Sequence, residues 1–228
     1  VVTQAERGEP QALGRPQFPC VGTNAMNQYN ISRATQGLTL YVKDHFAKQG
    51  RSGKPAICLC HDTRFFSREF AELAAKIITE LGCDAYLFEG PRSTPELSFA
   101  VRHVKAQAGI NLTASHNPPE YNGYKVYFED GCQVVEPHAS AIIAKVNAVE
   151  SEDYPAVPES EHGRVIPMGV DIDAAHQQRV AEQQVNGPER AVADPDPLDA
   201  DVAAAIELDE LWPEVMFARG HPALVDGH

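Results

Sequence analysis

The sequence predicts a three-layer α/β/α fold on a mainly parallel, mixed sheet, followed by a short irregular or helical acidic tail. Short continuous apolar runs, Ala56 to Cys60 and Ala108 to Ala114, have the character of strands buried on both faces of a parallel sheet. Amphipathic helical periods separate them with short connections, the alternation that such a sheet requires. Charge divides the chain in a third way. Residues 1–149 hold 14 acidic and 15 basic side chains, whereas residues 150–228 hold 18 acidic and 4 basic, so the net charge of −13 belongs to the last third.

In chain order, Asn27 to Phe46 places Ile31, Ala34, Leu38, Tyr41 and Val42 at helical spacing, with Asn30 available as a cap. After the break at Gly50 to Pro55, Ala56 to Cys60 forms the first strand. A helix follows from a Ser67 cap to a stop at Gly82, and Ala85 to Phe88 is the second strand. Thr94, Pro95 and Glu96 open the next helix, which runs through Lys105 before the third strand, Ala108 to Ala114. Tyr124 to Phe128 and Gln133 to Glu136 flank an Asp130-Gly131 turn as a hairpin, and Pro137 to Val149 is helical. The first domain spans 1–155. Pro155, Pro158, Gly163 and Pro167 then mark a linker, with helical spacing over Asp171 to Val185 and Leu198 to Leu211.

Composition excludes several classes. No apolar run reaches the roughly 20 residues of a membrane span, and Val1 to Pro10 lacks a signal-peptide pattern, so a cytoplasmic protein is expected. The acidic tail repels nucleic acid and anionic membranes; it reads as a solvated, partly disordered segment. Cys20, Cys58, Cys60, Cys83 and Cys132 are odd in number and mostly within predicted elements, which suits reduced, buried thiols better than a disulfide framework or a zinc site.

Chemistry concentrates in Thr113 to Lys125, TASHNPPEYNGYK. The segment leaves the carboxyl end of a parallel strand, where open α/β sheets place their ligand sites. Ser115 is followed by His116, Asn117 and two prolines, which hold its hydroxyl on a stiff turn. A serine so held can carry a phosphoryl group, and Lys125 is a cation able to neutralise that group or exchange a proton with a sugar hydroxyl. Taken by itself the Ser-His pair is also compatible with a plain turn. No Gly-x-Ser-x-Gly elbow supports a hydrolase.

TASHNP with PEYNGYK resembles the active-site loop of the α-D-phosphohexomutases, the phosphoglucomutase and phosphomannomutase family, at nearly every position. Gly22-Thr23-Asn24, Arg33 to Gly37, His61 to Arg64 and Pro91 to Pro95 extend the resemblance over residues 20–180. It implies that Ser115 is the phosphoserine, that His116 orients the phosphate, and that Lys125 does acid-base work. The implied reaction moves a phosphoryl group between the 1 and 6 positions of a hexose phosphate through a hexose 1,6-bisphosphate. For Asp62 and Arg64, turn and cap chemistry stands beside ligand contact.

Arg15, in Ala12 to Pro16, is the counterpart of the family's N-terminal loop arginine. Asp194-Pro195-Asp196 resembles the start of the family's magnesium loop, which makes Asp194, Asp196 and the Ser115 phosphate the implied Mg2+ ligands; no third aspartate or arginine follows in register. Those aspartates equally suit caps of a helix starting near Leu198. The family's later sugar-binding and phosphate-binding loops have no counterpart, so residues 156–228 read as a linker and a truncated or degenerate remnant of a second domain. Two functions follow as expectations: a magnesium-dependent phosphohexomutase, or a non-catalytic remnant that binds phosphosugar or a partner. Apolar surface on the first domain is expected to promote self-association or partner binding.

Overall fold

The computed structural model describes residues 26–118 and 121–186. Strands β1 (Ala56–His61), β2 (Asp84–Phe88), β3 (Ala108–Leu112), β4 (Tyr124–Phe128) and β5 (Val165–Met168) form one sheet in the order β4-β3-β1-β2-β5. β1 pairs parallel with β2 and β3, and β2 parallel with β5; β4 runs antiparallel to β3. The mixed, mainly parallel sheet expected from the sequence is therefore present.

Side-chain alternation along the strands builds two cores. Ile57, Leu59, Ile110 and Val126 meet helices α1 (Gln28–Lys48), α2 (Ser67–Glu80) and α4 (His138–Asn147) through Leu38, Ile78 and Ile142. On the opposite face Cys58, Cys60, Tyr127 and Met168 meet α3 (Thr94–His103) through Leu97 and Val101, with Ile172 of α5 (Val170–Asn186) packed against them. Crossing α1 over α4 requires Gly37: a Cβ there would stand 2.6 Å from the Val146 backbone. Among the described residues no helix is long and apolar enough to cross a membrane.

Several local expectations are corrected. Asn27, not Asn30, caps α1, its side chain accepting the Asn30 N–H at 2.9 Å. Ser67 lies inside α2 and donates its hydroxyl to Asp62, while Phe66 holds the preceding position at φ 63°. Ser93 precedes α3 as its cap, bonded through N and Oγ to the Glu96 carboxylate at 2.7 Å each. β3 ends at Leu112, so Thr113 and Ala114 begin the loop. Gln133 to Glu136 contributes one isolated bridge, Tyr127 to Gln133, in place of a strand, held by Val134 N–H bonded to the Val126 carbonyl and Phe128 N–H bonded to that of Cys132.

The largest correction concerns the stretch read as a linker beyond residue 155. Val157 N–H bonds to Glu80, Gly163 N–H to Thr79, and Val165–Met168 adds to the edge of the sheet as β5. The sheet therefore continues past 155. The Leu198 to Leu211 helix expectation lies outside the described residues.

Candidate active site

Parallel pairing of β1, β2 and β3 puts the loops after all three strands at one end of the sheet. Ser115 sits there, exposed, at φ 56°. A left-handed backbone costs a non-glycine residue about 1–2 kcal/mol, so the turn needs bonds to hold it. Thr113 Oγ1 accepts the Ser115 N–H at 2.9 Å, and the Ala114 carbonyl accepts both Asn117 N–H and Asn117 Nδ2, at 3.1 and 2.9 Å. His116 Nδ1 stands 3.4 Å from Ser115 Oγ, at the outer limit of a hydrogen bond.

The turn after β1 braces this loop from beneath. Arg64 donates Nη2 to the Ser115 and Asn117 carbonyls at 2.7 and 2.6 Å, and Nη1 to those of Pro118 and Tyr121 at 2.6 and 3.0 Å. Its Nε bonds to Asp62 Oδ2 at 3.0 Å. Asp62 Oδ1 accepts from the Arg64 N–H and from Ser67 Oγ, each at 2.9 Å. Fully buried Asn122 closes the network, donating to Ser67 Oγ at 2.8 Å and to the Phe65 carbonyl at 3.1 Å while accepting from Gly123 N–H. Asp62 and Arg64 thus take the structural role that the sequence left beside ligand contact.

Lys125 lies on β4 in register with Asn111, whose side chain donates to Thr94 Oγ1 at the start of α3, so Lys125 is on the α3 face near the serine end of the sheet. Arg92, in the loop after β2, makes a two-pronged ion pair with Asp173 of α5 at 2.8 and 2.7 Å. That pairing raises the Arg92 pKa and lowers that of Asp173. Burial pushes the Cys60 thiol up to about 12, and Cys58 higher, so neither is a thiolate nucleophile. His61, buried at the end of β1, donates Nδ1–H to the Asp62 carbonyl, which leaves Nε2 a buried acceptor with no partner among the described residues.

The structure brings Ser115 and His116 together; Arg15, Asp194 and Asp196 lie outside the described residues. No cluster of three His, Cys, Asp or Glu side chains suited to a metal occurs among the described residues. Asp62, the carboxylate bound to the loop's brace, already has both oxygens engaged. The described residues therefore do not form a magnesium site. Reading the motif residue by residue missed Thr113 and Asn122 as supports, although both belong to it; their partners are what assign the roles.

Residues 20–153 match the α/β/α domain I of phosphoglucomutase/phosphomannomutase. The chain belongs to the phosphoglucomutase/phosphomannomutase family. It is 40% identical over 133 residues to a phosphoglucomutase of Staphylococcus haemolyticus, covering 58% of this chain and 23% of that relative. A human phosphopentomutase is 39% identical over 127 residues, covering 53% and 20%. Among solved structures, a protein of Thermus thermophilus assigned as a phosphomannomutase aligns with TM-score 0.56 and 29% identity, over 71% of this chain and 33% of that one. A phosphoglucomutase/phosphomannomutase family protein of Burkholderia thailandensis, at 18% identity and TM-score 0.53, shares the fold over 74% of this chain and 35% of its own. The chain thus spans about a fifth of the length of the curated phosphoglucomutase and phosphopentomutase relatives it matches.

Proposed function

We propose that this chain carries the phosphoryl-accepting serine of a phosphohexomutase, with hexose phosphates and hexose 1,6-bisphosphate as its substrates. The observation that carries the reading is the exposed Ser115 hydroxyl on a left-handed turn whose backbone is bonded from both sides. A carrier of a phosphoryl group must be accessible yet fixed, because transfer through a loose transition state depends on positioning and charge neutralisation more than on covalent chemistry.

In the reaction the phosphoserine P–O bond breaks as the free 6- or 1-hydroxyl of the sugar phosphate bonds to phosphorus. Ser115 leaves as an oxyanion that takes up a proton from solvent, and the sugar becomes the 1,6-bisphosphate. The same steps in reverse, after the bisphosphate turns over, return the group to Ser115 and release the isomer. Lys125 is the proposed proton acceptor for the attacking hydroxyl, and His116 orients the phosphate. The expected magnesium ion would draw on the Ser115 phosphate with Asp194 and Asp196, and would neutralise phosphate charge there. Arg15 is the proposed N-terminal contributor. A cytoplasmic location and a domain I closed by β5 belong to the same reading.

Incubation with glucose 1,6-bisphosphate, followed by intact-mass and peptide analysis, is expected to place one phosphoryl group on Ser115 and none on a Ser115→Ala variant. A group found only elsewhere overturns the proposal. No transfer at all favours the second function, a non-catalytic phosphosugar-binding or interaction module.

A further inference from the structure

We infer that Arg64 is the positioning residue that presents Ser115 for phosphoryl transfer, an inference that rests on the function proposed for that serine. A guanidinium has five N–H donors in a rigid planar fork. All five of Arg64 are engaged inside the chain: one on Asp62 and four on the carbonyls of Ser115, Asn117, Pro118 and Tyr121. None remains for a substrate phosphate. Asp62 at 3.0 Å also offsets its charge, and the Arg64 side chain is only 11% exposed. This cation therefore acts on the loop and not on the ligand.

The carbonyls gathered on Arg64 lie outside the strand ladder, where the sheet supplies no donors. Pro118 has no N–H, which leaves the Ser115 carbonyl, three residues before it, without the ordinary local donor of a turn. Collecting these carbonyls at one guanidinium fixes several peptide planes together. Because a trans peptide points its N–H opposite to its C=O, turning the Ser115 carbonyl onto Arg64 also turns the His116 N–H to the far side. Arg64 thereby sets the backbone from which the serine hydroxyl and the following imidazole project, and offsets the cost of the φ of 56° at Ser115. A lysine cannot replace it, having three donors on one nitrogen.

Two measurements test this on Arg64→Ala and Arg64→Lys beside the wild-type chain. Amide hydrogen exchange reads the loop through the N–H groups of Ser115, Asn117 and Tyr121, each bonded within it. Those amides are expected to exchange about tenfold faster or more in both variants, with β1 and β3 unchanged. The rate at which glucose 1,6-bisphosphate phosphorylates Ser115 is expected to fall by about tenfold to a hundredfold, with millimolar guanidinium restoring part of it in Arg64→Ala. Arg64→Lys carries the test should Arg64→Ala not fold.

Loop exchange within about twofold of wild type in both variants overturns the clamp. Faster exchange with an unchanged phosphorylation rate overturns the positioning role and leaves a structural one. Absence of transfer in the wild type is the separate failure of the proposed function; it withdraws the phosphoryl part of this inference, while exchange still decides whether Arg64 holds the turn.

Discussion

Ser115 is presented by residues that cannot themselves transfer anything. Thr113 and Arg64 satisfy its backbone, Asn117 bonds to the carbonyl of the preceding Ala114, and Asn122 and Ser67 fasten Arg64's partner Asp62 to α2. Replacing Asn122, itself fully buried, with Ala would strip donors from buried Ser67 Oγ and the partly buried Phe65 carbonyl and an acceptor from buried Gly123 N–H. We expect a loss of about 2–4 kcal/mol in urea unfolding, since each buried polar group left without a partner costs about 1–3 kcal/mol. A loss under about 0.5 kcal/mol would show that water replaces the amide. At this scale the motif residues were legible because chemistry-bearing types cluster in one short segment. The role of Asn122 was not, for its partner Ser67 is 55 positions away in the chain.

At the scale of elements, α5 is joined to the loop after β2 by the Arg92 and Asp173 pair, with Arg92 also 5.8 Å from the centroid of the Phe88 ring. The Arg92 guanidinium holds the Asp173 carboxyl below its usual range. An acid depressed in the folded state contributes stability that is full above its unfolded pKa, about 3.9, and is lost as pH falls through the folded value. Protection of the α5 amides, taken relative to their intrinsic exchange rates at each pH, should therefore fall below about pH 4 in the wild type, while Asp173→Asn is less protected already at pH 7 and loses that acid dependence. An α5 equally protected in both at pH 7 would place its anchorage in the apolar contact of Ile172 instead. Helices and inner strands were legible from periodicity, whereas their caps were displaced by one to three residues because the flanks hold several residues able to cap, Asn27 and Asn30 among them. β5 escaped because Pro167 argues against a strand, yet an edge strand needs a donor on only one side and tolerates proline there.

For the whole molecule, the phosphohexomutase reading demands a grip on the sugar's distal phosphate while the bisphosphate reorients. At the serine end of the sheet, Arg64 and Arg92 are engaged by their own chain, and Arg68 donates to the Phe88 and Glu89 carbonyls and to Glu72. Steady-state kinetics on this chain with glucose and mannose 1-phosphates, beside Ser115→Ala, are expected to give turnover well below the roughly 10 per second of an ordinary enzyme. Ordinary rates lost in Ser115→Ala would show that residues outside the described ones, or an oligomer, supply the grip. The sequence alone determined the α/β/α class, the order of the inner elements and the identity of the serine segment, because burial period and motif are properties of contiguous residues. Only the tertiary structure decided that the sheet continues to Met168, that Asp62 and Arg64 brace the loop rather than bind a ligand, and that the serine backbone is left-handed. Those facts depend on donors and acceptors paired across dozens of residues. A hydrogen bond has no local signature in the chain until folding brings its two ends within reach.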